Sequence, residues 1–455
     1  MIPPKPPSRP DKVSLWRYAK LFRQDILSAQ PARLYRAWMA EFRTPFFHSY
    51  LINQPELVKT VLNDRPADFP KSSRIREGLA PLLGNSVFVT NGDEWERQRR
   101  IIDPAFGAGR LKETFPAIWD ATTSAVKRLL TQGAGPDPVE IEEHTSHAAA
   151  DVIFRTLFSI PIEHAVATDV FQAFRAYQRT QPLMNIGALL PLPNWIPRGH
   201  KPETRASAQK IRALITDLTA ARMVAIENGT APDDLATKIM TTADPETGAR
   251  FGTQEMVDQV AIFFLAGHET SASALAWSLY LLATHPGAQD RILEEARAMI
   301  PDTGAPAFSD LSKLAFTRDV FREALRLYPP VPMMVRQNTR TEQFRDRLVK
   351  KGAQIVVSPW HLHRQNRLWD NPDGFDPGRW QTENGKTCQR TAYIPFSSGP
   401  RVCTGAGFAM VEGIVLIAAL VKSFRFEPIE DRVPEPVAHL TVRAKNGIWM
   451  KVTPR

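Results

Sequence analysis

Phe396-Ser397-Ser398-Gly399-Pro400-Arg401-Val402-Cys403-Thr404-Gly405 decides how this chain reads, because its one cysteine stands in a setting that suits a thiolate. Gly399 and Gly405 flank it and let the backbone turn tightly and approach a large flat ligand. The apolar run from Phe408 to Leu420 predicts a helix, which places Cys403 at a helix N-terminus. Unpaired N–H groups and the positive dipole end there lower a thiol pKa and stabilise S⁻. No CxxC and no nearby histidine pair accompanies it, so zinc and iron–sulfur clusters lack ligands. A haem iron with one axial thiolate fits better. The competing reading is a small buried hydrophobe, as most lone cysteines are.

The spacing F-x-x-G-x-R-x-C-x-G resembles the haem-binding signature of the cytochrome P450 superfamily. Five such fixed positions arise by chance on the order of once in ten thousand chains of this length. The resemblance implies that the Cys403 sulfur is the proximal iron ligand, that Arg401 binds a haem propionate, and that Phe396, Gly399 and Gly405 shape the loop. It also implies the fold: mainly α with a small β region, haem b lying between a long central helix and the cysteine loop.

With 455 residues and 43% hydrophobic content, the chain can bury a large core. The resemblance then implies a Pro-rich arm and lead-in over residues 1–34 and a single catalytic domain over 35–455. No run of eighteen uncharged apolar residues occurs and the N-terminus lacks the order of a signal peptide, so a soluble cytoplasmic protein without a membrane anchor is expected. Two cysteines offer no disulfide framework, which suits a reducing compartment, and Cys388 reads as structural. A net charge of +9 is compatible with nucleic acid, an anionic membrane or an acidic protein partner. No RNA-binding sheet pattern, zinc finger or long Lys/Arg run is present, which sets nucleic acid aside.

Residues 1–10 hold five prolines and predict an extended, polyproline-like arm. Residues 15–42 show helix-like apolar spacing. Phe46 to Ile52, Ser86 to Val89, Lys351 to Ser358 and Val442 to Val452 read as strands. From Leu111 to about Ala225 the pattern is helices broken by loops such as Thr131 to Pro138. Gln181 to Pro197 is apolar yet proline-broken and resembles the family's mobile lid over the substrate channel. Its Leu183, Met184, Ile186, Leu189 and Leu190 face either substrate or core.

Trp95 and Arg99 lie four apart on one helix face. In the family that spacing puts an indole N–H and a guanidinium on a haem propionate; alone it would be an exposed basic helix. Arg97, Arg100, Arg110 and Lys112 are then candidates to dock an acidic electron-transfer protein, or a solvated basic face. Ala261 to Thr270, AIFFLAGHET, sits inside a helical pattern from about Thr253 to Ala283. Gly267 weakens a helix, Glu269 is a charge in apolar company, and Thr270 can return its hydroxyl to the Ala266 carbonyl. Three such choices together suggest that a site overrode stability. The stretch resembles the family's oxygen-activation motif, which makes Ala266 and Gly267 the O₂ groove, Thr270 the alcohol and Glu269 the acid that feeds it. His268 is given no role.

Glu323 and Arg326 form an i,i+3 pair that alone says nothing. Followed by Asp376-Pro377-Gly378-Arg379-Trp380, they resemble the family's E-x-x-R helix and downstream arginine loop, a buried charge network of Glu323, Arg326 and Arg379. Arg336 matches a further propionate position. Met333, Met334, Val335, Phe88, Phe263 and Leu440 are candidates to line the substrate pocket, and Leu440, Thr441 and Val442 fall at the family's last substrate-contacting turn. His361 and His363 read as structural.

The resemblance implies a haem-thiolate monooxygenase, in which O₂ is activated at the haem and one oxygen atom enters a C–H bond. No G-x-G-x-x-G fingerprint follows a strand and no length remains for a flavin domain. Electrons from NAD(P)H are therefore expected through an external reductase and an acidic ferredoxin or flavodoxin, the enzyme itself being a monomer. A peroxygenase, a non-redox haem isomerase or dehydratase, and a haem sensor or carrier are the alternatives. The pocket segments are apolar and favour a small lipophilic substrate, with a fatty acid or similar chain slightly ahead; Arg74 and Arg76 are candidate carboxylate anchors.

Overall fold

A computed structural model of the chain describes residues 2–43, 48–180 and 200–455. Its axis is the helix Thr253–Ala283, whose ends match the sequence pattern. The helix is buried on all sides over most of its length, as a helix apolar all round must be. Glu255 fixes its start by accepting the Gly252 N–H at 3.0 Å. Against it pack Ile141–Phe158, Pro202–Glu227 and Ala406–Ser423, the last being the helix that follows the cysteine loop. Phe154, Phe158 and Phe174 gather around Phe264 and lock the first of these contacts.

The β structure is small and peripheral. Met39–Arg43, His48–Ile52, Gln354–Val357 and Met334–Gln337 form one sheet in that order, parallel only between the second and third. Val139–Glu140, Trp449–Pro454 and Phe424–Pro428 form a second. A short antiparallel pair, Pro436–Ala438 with Val442–Ala444, carries the turn at Leu440. This is the mainly helical architecture with a small β region that the resemblance implies.

Several local expectations change, among them Val442 to Val452, which forms two strands, Val442–Ala444 and Trp449–Pro454, with a turn between them. The helical spacing over 15–42 is realised as Leu15–Gln24 and one 3₁₀ turn at Ala32–Tyr35, because Asp25 turns its carboxylate on the N–H groups of Leu27 and Ser28 and ends the first helix. Met39–Arg43 then becomes a strand. Ser86 to Val89 is a turn: the Ser86 carbonyl accepts the Val89 N–H, and the Val87 N–H goes to the Gln259 side chain of the central helix. The strand expected from Phe46 is seen from His48, Phe46 itself lying outside the described residues. Leu183, Met184, Ile186, Leu189 and Leu190 also lie outside them.

The proline arm is extended, as expected, and it is docked. Tyr328 donates its hydroxyl to the Pro4 carbonyl at 2.8 Å, and Lys5 pairs with Asp373. Arg9 bridges to Pro31.

Candidate active site

The cysteine loop is held by its own backbone and by one close approach. The Cys403 N–H donates to the Phe396 carbonyl at 2.9 Å, and the helix begins three residues later at Ala406. Gly399 has φ +70°, and a Cβ there would fall 2.1 Å from the Leu62 carbonyl oxygen. Its smallness therefore seats the loop on the Thr60–Asp64 segment instead of leaving room for a flat ligand. Gly405 is the glycine beside the sulfur. Cys403 is exposed to a cavity of about 1100 Å³ that lies deep among the surrounding elements. Burial pushes the thiol up, against the Gly405 N–H and the Arg99 charge, which lower it. The helix-terminus argument predicts the opposite sign; Cys403 stands three residues ahead of the helix, and burial is the largest influence on it.

At one edge of the cavity the structure gathers cations. Arg336 is buried and Arg401 half-buried, and the Nε atoms of both have no partner among the described residues. Burial, and then Arg401, push Arg336 down to about 10. Arg401 lies 5.1 Å and Arg99 5.9 Å from the Trp95 ring centre, so the residues the sequence marked do converge. Arg99 also donates to the Val402 carbonyl at 2.8 Å, tying the Trp95 helix to the cysteine loop. The sequence reading missed Lys71, whose ammonium sits 5.6 Å over the same ring and donates to the Val87 and Thr90 carbonyls. Burial and the charges of Arg336, Arg401 and Arg99 hold its pKa well below the usual lysine value.

Buried guanidinium N–H groups without acceptors are costly, and a dicarboxylate among them would satisfy both charge and hydrogen bonds. The donor set, with a sulfur on the same cavity, fits haem and its propionates. Lys71→Met should raise the rate of haem transfer to a scavenging apoprotein about tenfold or more, the loss of one charge-assisted bond. An unchanged transfer rate would remove Lys71 from the set.

Across the cavity runs the central helix. Ala266 is open to the cavity, and Thr270 donates its hydroxyl to the Ala266 carbonyl at 2.5 Å, as expected. Gly267 also lines the cavity, and a Cβ there would meet the Ile153 Cδ1 at 2.3 Å, so that side chain would have to shift to admit one. Glu269 is buried and also lines the cavity: its carboxylate accepts the Thr441 hydroxyl at 2.6 Å and pairs with Arg443 at 3.2 Å. His268 bonds Ser146 at 2.7 Å, and burial pushes it down to about 3, a neutral pin between two helices. From the helix that follows the cysteine loop, and also missed in the sequence, a buried Glu412 accepts the Ser271 hydroxyl at 2.7 Å. Burial raises it to about 8.

Behind the loop, Glu323 and Arg326 are fully buried and bonded through both carboxylate oxygens. Arg379 donates to the same carboxylate at 2.9 Å, and so does the Asp376 N–H at 3.0 Å. Arg326 continues to the carbonyls of His363, Pro372 and Gly374. His363 in turn accepts the Ile394 N–H at 2.9 Å, two residues before Phe396, so the network reaches the loop that carries Cys403. His361 caps against Ser358, and Cys388 is buried against the Leu368 carbonyl, both structural as read.

Phe88, Phe263, Met333, Met334, Val335 and Leu440 all line the cavity. So does Arg74, whereas Arg76 donates to Asn85 at 2.6 Å, and both stand on the helix Ser73–Leu83. The docking cations need correction. Arg97 pairs with Glu255, Arg100 with Asp244 at 2.6 Å and Arg110 with Asp233 at 2.9 Å, so acids of the chain itself meet three of the four.

With this geometry in place, the comparisons are direct. The family model described as Cytochrome P450 matches residues 36–452. Cyclooctatin synthase of Streptomyces melanosporofaciens is 32% identical over 87% of this chain and 84% of its own length. Cyclooctat-9-en-7-ol 5-monooxygenase of the same organism is 32% identical over 92% and 87%. A cytokinin hydroxylase of Arabidopsis thaliana is 28% identical over 89% and 78%. The solved haem domain of cytochrome P450DA superposes with a TM-score of 0.83 at 23% identity, covering 100% of this chain and 98% of that one. A cysteine loop, a cation-rich edge and a notched central helix around one cavity thus come together in a chain that belongs to the cytochrome P450 family and is an oxidoreductase of its monooxygenase type.

Proposed function

We propose that this P450 inserts one oxygen atom into a lipophilic substrate, with haem b held on the Cys403 sulfur and electrons drawn from separate redox proteins. The observation that carries the reading is a juxtaposition within one cavity. Sulfur, a cation-rich edge with unsatisfied guanidinium N–H groups, and Ala266 with Thr270 all open onto a wall that is otherwise largely aliphatic and aromatic. When bound, the haem supplies the oxygen-activating chemistry. Trp95, Arg99, Arg336, Arg401 and Lys71 bind and orient its carboxylates. Ala266 keeps the space beside the helix free, and Thr270 holds a proton at Oγ1 that is now committed to the Ala266 carbonyl. Glu269 stores the charge through which that proton is replaced. Ile262, Phe263 and Leu440 exclude water from the substrate's side.

The electron donor is proposed to be an acidic ferredoxin or flavodoxin, meeting a cytoplasmic, monomeric enzyme near Lys112. That residue follows Leu111, which lies against Gly407 just past the cysteine loop. The substrate is proposed to be a cyclic unsaturated alcohol of the kind named for one Streptomyces relative, ahead of a chain-like acid, because the lining near Leu440 and Phe263 is apolar.

The test is an optical titration of haem-loaded protein with terpenoid alcohols, fatty acids, steroids and alkyl-aromatics, reading the ferric spin state. A saturable shift for one class, followed by one ¹⁸O atom from ¹⁸O₂ in its product, is expected. A shift with acids alone would replace the cyclic alcohol. Product free of ¹⁸O would point to an isomerase or dehydratase, and turnover with peroxide but not with a reductase to a peroxygenase.

A further inference from the structure

Glu269 is held by a turn from the far end of the chain. Thr441 and Arg443 hold its carboxylate, the Ser273 hydroxyl donates to the Val442 carbonyl, and the Ala444 N–H donates to Glu142 at 3.1 Å. The residues from 440 to 444 thus lie between two carboxylates, Glu269 on the central helix and Glu142 in the first turn of Ile141–Phe158. Glu142, Arg443, Glu269 and Thr270 line one cavity. The Arg443 side chain is 35% exposed, against 8% for Glu269, so its guanidinium runs from the buried carboxylate toward water.

The surroundings of each acid are specific. Glu142 faces Glu140 on its own segment, and the Ala444 N–H and Arg443 across from it. Burial raises it to about 7, against that N–H and that guanidinium. Around Glu269 stand Thr441, Arg443 and His439, with neutral His268 beside it in sequence and Arg175 paired to Glu143. An ion pair meant only to lock a turn needs one acid. Here a second acid, pushed up to about 7 by burial, feels the same arginine's charge and lines the same cavity.

We propose that Glu142, Arg443 and Glu269 form a proton inlet to the distal site, with Arg443 as the positioning residue between an uptake acid and the relay acid. The proposal rests on the reading that Glu269 and Thr270 supply protons. A solvent proton binds the Glu142 carboxylate, passes through cavity water to the Glu269 carboxylate, and leaves Glu142 ionised again. One proton enters and no electrons move. Glu142 is loaded below its pKa and empty above it, so supply falls as pH rises through neutrality.

The experiment uses the haem-loaded enzyme with its redox partners, in wild-type form and as Glu142→Gln, Glu142→Ala, Arg443→Gln and Glu269→Gln. Two quantities are read from pH 6 to 9: the infrared carboxylic-acid bands, and product formed against peroxide released per electron pair. Wild type should show two such bands, one from Glu142 that disappears near pH 7 together with a fall in coupling and one from Glu412 that persists to about pH 8. Glu142→Gln keeps an acceptor for the Ala444 N–H; it should lose the Glu142 band and couple about tenfold less well at pH 6, with a flat profile. Glu142→Ala should do the same, and Arg443→Gln should shift the band. If Glu269→Gln lowers coupling while Glu142→Gln keeps the wild-type band and profile, the inlet is overturned and the relay stands. If Glu269→Gln changes nothing, the proton-supply reading falls and takes the inlet with it.

Discussion

Glu323→Ala should yield a chain that recovers little haem and melts far below the wild type. The side chain has no exposed surface and neutralises two guanidinium groups that are themselves buried, at 0% and 4% exposure. It also accepts the Asp376 N–H. Removing it leaves two cations in a low-dielectric interior with only backbone carbonyls to face. Breaking a buried pair in this way costs about 3–5 kcal/mol, a large part of the roughly 5–15 kcal/mol that holds a domain together. The damage should pass through His363 and the Ile394 N–H to the cysteine loop. Haem-to-protein ratio and melting temperature read it. Glu323→Gln keeps an acceptor and should fall between the two. A Glu323→Ala protein that loads haem fully and melts within about two degrees of wild type would remove the network from its supporting role.

Gly399→Ala should be nearly as severe, for a reason of shape. At φ +70° an alanine is strained by about 1–2 kcal/mol before any contact is considered. Its Cβ would then fall 2.1 Å from the Leu62 carbonyl oxygen and 3.0 Å from the Asn63 Cα, both backbone atoms that cannot rotate away. The loop must lift, breaking Ser398 Oγ from Asn63 at 2.8 Å and Arg401 from the Pro66 carbonyl at 2.7 Å. Cys403 and Arg401 would move together, so haem loading and the thiolate absorption should both be lost. Gly405→Ala is the control: φ there is −84° and its Cβ would sit 4.0 Å from the Cys403 sulfur, an ordinary contact. If both variants bind haem equally well, the close approach at Leu62 does not seat the loop.

Some of this architecture shows in the sequence because its cause is local. The central helix announces its length through an apolar run with caps at its ends, and Thr270 finds the Ala266 carbonyl four residues back because helix geometry puts it there. Glu323 and Arg326 are harder: an i,i+3 pair looks the same on a surface as in a core, and only the order of motifs around it marks it as buried. What stayed hidden depends on distant partners. Thr441 lies 172 residues from Glu269, Glu255 lies 158 from Arg97, and Asp244 lies 144 from Arg100. A row of arginines in one helix therefore reads as a docking face until the acids that neutralise it are folded onto it. Lys71 carries no signal beyond a lysine in a loop. The turn at Ser86 to Val89 has strand-like residues, but Gln259 takes the Val87 N–H that a ladder would need.

The proline arm makes contacts whose separation along the chain has a consequence in time. Pro4 meets Tyr328 across 324 residues, and Lys5 meets Asp373 across 368. A ribosome adding about 5–20 residues per second releases the arm roughly 15–70 seconds before its binding surface exists. Through that interval the arm is loose chain, and Tyr328 and Asp373 must come to order beside the Glu323 network before it has anywhere to settle. If the arm docks after the rate-limiting step of folding, Tyr328→Phe should speed unfolding and leave the folding rate unchanged, which paired folding and unfolding kinetics would read.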